Sequence, residues 1–135
     1  MNTMNPYLLP LQELLSQNSD TDTAAAMKAY MKDHFEFYGI KATPRRKPQN
    51  DYLRKFGFPD PFDKKIFRSF WGAREREFQV VGLDILRKQA KFSAIGDIEL
   101  LEELITTKSW WDTVDGLASW VCGPYFIKYP HQMYK

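Results

Sequence analysis

Apolar residues recur along this chain at three- and four-residue intervals in one segment after another, and no segment of comparable length alternates polar with apolar. That spacing gathers side chains on one face of a helix, whereas a half-buried strand requires a period of two. The chain is therefore expected to be all-α. Met27, Tyr30, Met31, His34, Phe35 and Tyr38 fit one long amphipathic helix, with Ala24, Ala25 and Ala26 adding propensity and Gly39 as its C-terminal stop. Leu8, Leu9, Leu11, Leu14 and Leu15 predict a shorter helix over residues 6–15, ended by the polar run 16–22.

Further along, Thr43-Pro44 reads as an N-cap followed by proline at the first helical position, and Pro48 is expected to break residues 43–56 into two short pieces. Asp60-Pro61 repeats the signal and opens a helix carrying Phe62, Ile66, Phe67 and Phe70, ending near Trp71-Gly72. Phe78, Val81, Gly82, Ile85 and Leu86 mark the next helix, and Ile98, Leu101, Leu104 and Ile105 another. Ser109 is a good N-cap with Asp112 three residues on, and Trp110, Val114, Leu117, Ala118 and Val121 form one apolar stripe up to Gly123. Gly123-Pro124 looks like a further helix start, with Tyr125, Phe126 and Ile127 following.

Helices of this length on short links suit antiparallel pairs, and stacked pairs give an α-solenoid of HEAT type. No sequence repeat is visible, so periodicity alone leaves bundle and solenoid open. The chain is 44% hydrophobic and 16% aromatic, enough to bury a sizeable core over one domain, residues 1–135, which excludes wholesale disorder. The lone Cys122 excludes an internal disulfide framework and a cysteine-rich zinc site, and a reducing, cytoplasmic setting is expected. No apolar run approaches the roughly 20 residues that cross a bilayer, so neither secretion nor membrane insertion is expected.

The net charge of +2 conceals a pattern: −3 over residues 1–40, +8 over 41–91 and −3 over 92–135. Lys41, Arg45, Arg46 and Lys47 cluster in the cationic part, either as a solvated surface or as phosphate contacts. On a helix, Trp111 and Asp115 are an i, i+4 pair beside the apolar stripe, which sets an indole next to a carboxylate. Packing against a neighbouring helix also accounts for Trp111, and solvation for Asp115. Asp112 is explained by capping and the helix dipole. Glu75 and Glu77, alternating with Arg74 and Arg76, read as surface ion pairs. His34, on the apolar stripe, and His131 stand alone and read as structural, with no metal site; Cys122 has no histidine near it in sequence.

Several of these segments together resemble the AlkD-like DNA alkylation repair family, DNA glycosylases built of HEAT-like repeats. They are Met27-Lys28-Ala29-Tyr30-Met31-Lys32 with His34-Phe35 and Tyr38-Gly39-Ile40, Arg74-Glu75-Arg76-Glu77-Phe78-Gln79, Leu83-Asp84-Ile85-Leu86, Leu101-Glu102-Glu103-Leu104-Ile105, and the block from Lys108 to Asp115. The resemblance runs in family order over most of residues 24–127.

It implies a right-handed solenoid and hydrolysis of the N-glycosidic bond of cationic alkylated purines, mainly N3-methyladenine and N7-methylguanine, in double-stranded DNA, without a cofactor. It further implies that Asp115 stabilises charge on the deoxyribose, that Trp111 lies against that sugar, and that Tyr30 lies at the DNA surface. For Tyr30, core packing on its own helix is the competing reading. Arg45 and Arg46, with Lys41, become phosphate contacts. Family members are longer, so the array is expected to continue past Lys135, leaving an apolar face around Tyr125, Phe126 and Ile127 with a tendency to self-associate. A HEAT-like module that binds DNA or protein without catalysis is the alternative, and a carboxylate at 115 facing a polyanion argues against it.

Overall fold

The computed structural model describes residues 4–134, and these residues are helical throughout apart from their connections. A 3-10 turn, Pro6–Leu8, leads into α1, Leu9–Gln17. Helices α2, Thr21–Tyr30, α3, Ala42–Phe56, α4, Lys64–Gly72, α5, Arg76–Gln89, and α6, Ile98–Thr106, follow. The chain then enters α7, Trp111–Gly116, continues as a π-helical stretch, Leu117–Cys122, and becomes α8, Gly123–Lys128. The expected all-α class holds, in the form of a solenoid of helical pairs. α1 packs on α3, α4 on α5, and α5 on α7 and the π-helical stretch. One apolar cluster runs through these contacts from Leu8 to Tyr125, with Phe67, Phe70, Trp71, Phe78 and Leu86 at its centre. No helix is long and apolar enough to cross a membrane among the described residues.

Four boundaries differ from those the pattern predicts. The long helix expected through Tyr38 ends at Tyr30. Lys32 and Asp33 take left-handed φ of 58° and 61°, and their N–H groups donate back to Ala29 and Lys28 at 3.1 and 2.9 Å. This is a Schellman closure with lysine where glycine is usual. What stabilises the departure lies elsewhere in the chain. Residues 36–40 run extended over the start of α5, where the Glu77 carboxylate accepts the backbone N–H groups of Tyr38, Gly39 and Ile40 at 3.0, 3.0 and 3.2 Å. Arg76 N–H donates to the Glu36 carbonyl at 2.8 Å. Gly39, at φ +92°, lies so close to the Asp20 carbonyl and the Ala24 N–H that no side chain fits there.

Residues 42–56 form one helix straight through Pro48, which is buried with Gln49, Tyr52 and Leu53. Packing against α1, and the bond from the Tyr52 hydroxyl to the Tyr7 carbonyl, outweigh the missing N–H. Its N-cap is Lys41 rather than Thr43, without a side-chain capping bond. α4 starts after Asp63, whose carboxylate accepts Ile66 N–H at 3.1 Å, and Asp60-Pro61 forms the turn before it. α7 starts after Trp110 rather than Ser109, whose hydroxyl instead donates to the Ile105 carbonyl at 2.6 Å.

Burial corrects two further expectations. Arg76, Glu77 and Glu75 are all buried, and of the four only Arg74, whose guanidinium reaches the Glu75 carboxylate at 2.8 Å, stands at the surface. Tyr125 is fully buried, its hydroxyl donating to the Ile95 carbonyl at 2.7 Å, and Phe126 is half-buried. Of the apolar face expected there, Ile127 is open to solvent, at the edge of a groove that Ile98, Leu101 and Ile105 share with α8.

Candidate functional site

The end of α2 and the start of α7, 81 residues apart in sequence, meet through two rings. The Tyr30 and Trp111 centroids are 6.1 Å apart with planes at 82°, an edge-to-face pair. Tyr30 is 72% and Trp111 53% exposed, so neither belongs to the core. Core packing is thereby ruled out for Tyr30, whose ring stands at the surface where its helix stops. Asp115, exposed, follows Trp111 by one turn of α7 on the same flank. The result is an exposed aromatic pair with a carboxylate one helical turn away.

A second layer carries this surface. His34, exposed rather than buried in a stripe, lies against Trp110 with ring centroids 4.5 Å apart and planes tilted by 48°. Phe35 covers the Arg76 guanidinium at 3.8 Å. The buried guanidinium donates to both oxygens of Asp112, at 3.1 and 2.6 Å, to the Lys108 carbonyl at 2.8 Å and to the Thr113 hydroxyl at 3.0 Å. Asp112 is therefore an ion-pair partner of Arg76, not simply a capping or dipole-satisfying group. Lys108, at left-handed φ 51°, donates its ammonium to the Ala73 carbonyl at 2.6 Å. Burial first, then the Arg76 charge, lower its pKa below the ordinary lysine value.

The basic cluster divides. Lys41 and Arg46 are exposed at the start of α3. Arg45 is turned inward, donating to Asp84 on α5 at 3.2 Å and to Gln49 at 3.1 Å. Among the described residues no hydrogen bond or ion pair joins Lys41 or Arg46 to Tyr30, Trp111 or Asp115. Nor do three histidine, cysteine, aspartate or glutamate side chains converge as a metal site among them. Cys122 is half-buried, and burial pushes its thiol above the usual value.

Sequence reasoning set Trp111 and Asp115 on one flank of a helix but missed the burial of Arg76 and the exposure of His34. A signal for Arg76 does exist in the sequence. It shares a face of α5 with Gln79, Leu83 and Leu86, at i+3, i+7 and i+10, and all of these are buried. Nothing local points to its partner, 36 residues away.

No curated protein matches the chain. A solved structure described as a predicted DNA alkylation repair enzyme from Enterococcus faecalis superimposes with a TM-score of 0.69 at 27% identity, over 84% of this chain and 55% of that one. This chain thus spans about half the length of that relative. The model of the family described as DNA alkylation repair enzyme matches residues 11–134. The chain belongs to the DNA alkylation repair enzyme family.

Proposed function

We propose that the exposed surface carrying Tyr30, Trp111 and Asp115 binds the sugar of an alkylated nucleotide in double-stranded DNA and that the protein acts as an alkylpurine DNA glycosylase. The observation that carries this reading is the exposed edge-to-face pair with a carboxylate one helical turn away. Alkylation at a ring nitrogen leaves the purine cationic, so the base departs with the electron pair of the N-glycosidic bond without a strong general acid. Positive charge then develops on the deoxyribose. The Asp115 carboxylate stabilises that charge and orients the water that attacks C1′, whose proton passes to the carboxylate or to solvent. The products are the free base and an abasic site. Trp111 offers the sugar its π face, which favours C–H contact and a developing cation, and Tyr30 limits how the duplex backbone approaches.

Lys41 and Arg46 are the phosphate contacts in this reading. Arg45 joins them only by releasing Asp84. Such contacts make affinity fall with salt.

The test is single-turnover release of N3-methyladenine and N7-methylguanine from alkylated duplex DNA by this chain and by Asp115→Asn. Release by the wild type and a loss of about 100-fold or more in Asp115→Asn is the expected result, in line with removal of one electrostatic group at a reacting centre. Salt-sensitive binding to duplex DNA without release of either base would replace it with a non-catalytic DNA-binding role.

A further inference from the structure

The geometry points to Arg76 as the residue that positions Trp111 and Asp115, through its clamp on the first turn of α7. This inference rests on the glycosylase reading for its chemical consequence, but its geometric part stands alone.

Besides Arg76, the start of α7 is held by ring contacts of Trp110 with His34 and of Trp111 with Tyr30, and by Lys108 on the Ala73 carbonyl, none of which grips the first turn itself through a charge. Its N-cap, Trp110, makes no side-chain capping bond, and only six residues of α-helix precede the π-helical stretch. The connection before it is unusual too, since Lys108 is held in a left-handed conformation. Arg76 supplies the charged anchor. One guanidinium grips the connection at the Lys108 carbonyl and the first turn at Asp112 and Thr113. Trp111 lies between those grip points, and Asp115 follows one turn later.

The anchor is itself rigid. The guanidinium is 0% exposed, roofed by Phe35 at 3.8 Å, and carried on the first residue of α5, whose backbone N–H is tied to the Glu36 carbonyl. Phe35 belongs to the segment that leaves Tyr30. The same side chain therefore touches the start of α7 and the segment that follows α2. A planar fork with donors in fixed directions is needed to serve a bidentate carboxylate, a carbonyl and a hydroxyl at once. A lysine ammonium carries the same charge without that geometry. A buried charge also holds its partner firmly, because releasing either leaves an uncompensated ion.

Two readouts on the 135-residue chain test the clamp. The first is the indole N–H resonance of Trp111, assigned with Trp111→Phe, in a nitrogen–proton correlation spectrum. In Arg76→Lys it is expected to move toward its position in Tyr30→Ala, as the edge-to-face contact loosens, while the resonance of the core residue Trp71 stays in place. If Arg76→Lys does not fold, Asp112→Asn loosens the same turn from its partly exposed side and is expected to give the same local shift. An unmoved Trp111 resonance in the folded variant overturns the proposal.

The second readout is single-turnover base release. A loss of about tenfold or more in Arg76→Lys is expected, with affinity for undamaged duplex unchanged. Little further loss should follow when Asp115→Asn is added, because the two act through one placement. Full additivity of the two losses would overturn the link to Asp115. A wild-type chain that releases no base defeats the glycosylase reading alone, and the Trp111 resonance then still decides the positioning.

Discussion

Tyr30 closes α2 and Trp111 opens α7, and the edge of one ring meets the face of the other with centroids 6.1 Å apart. Both rings are largely in solvent, so the contact contributes little to folding. An aromatic pair of this kind is worth about 0.5–1.5 kcal/mol beyond burial. Tyr30→Ala is expected to shift the unfolding free energy by about 1 kcal/mol or less, measured by urea titration. It is expected to slow base release by about tenfold, measured under single turnover.

Glu77 is the opposite case, a buried carboxylate that serves three backbone amides. Glu77→Ala leaves those amides without their acceptor, at about 1–3 kcal/mol for each one that stays buried. A loss of about 3 kcal/mol or more is expected in denaturant unfolding. Hydrogen exchange at Gly39 and Ile40 should accelerate well beyond that of α5, which reports the local origin of the effect.

Pro48 lies inside α3, buried, with no N–H to offer the Pro44 carbonyl. A proline in a helix interior costs about 3 kcal/mol relative to alanine, and the lost burial of the ring gives part of this back. Pro48→Ala is expected to stabilise the protein by about 1 kcal/mol. A raised urea midpoint with an unchanged m-value checks it.

Cys122 titrates late, because burial disfavours its thiolate. A raised pKa leaves less thiolate at any given pH below it, so iodoacetamide should modify Cys122 more slowly than a free cysteine at pH 8. The rate should climb about tenfold per pH unit there and continue rising beyond the ordinary thiol range. Intact-mass measurement against pH follows it directly.

Periodicity located α5 and α6 closely, since Phe78, Val81, Ile85 and Leu86 and then Leu101 and Leu104 are buried at helical spacing. It also placed Trp111 and Asp115 on a common flank, because i, i+4 neighbours on a helix are neighbours wherever that helix packs. It failed where a local pattern was opposed by a distant group. Met31, His34, Phe35 and Tyr38 are spaced like one helical stripe, yet the Glu77 carboxylate and the Arg76 N–H capture their segment as extended chain. In α3 the sequence signal was a breaker, and the buried side chains around Pro48 overrode it.

The amino-acid sequence by itself determined an all-helical chain, a cationic centre between acidic ends, and a tryptophan one turn from an aspartate. Those features depend on residue type and on spacings of a few positions. Tertiary structure decided that α2 stops at Tyr30 and that Tyr30 stands against Trp111. It also decided that Arg76 is buried on Asp112 and that Arg45 is held by Asp84. The charged contacts among them join groups 36–40 residues apart, and the aromatic pair joins rings 81 residues apart. Removing a charge from water is tolerated only where fixed donors or acceptors replace that water. The fold assembles those partners, and no short stretch of the chain contains them.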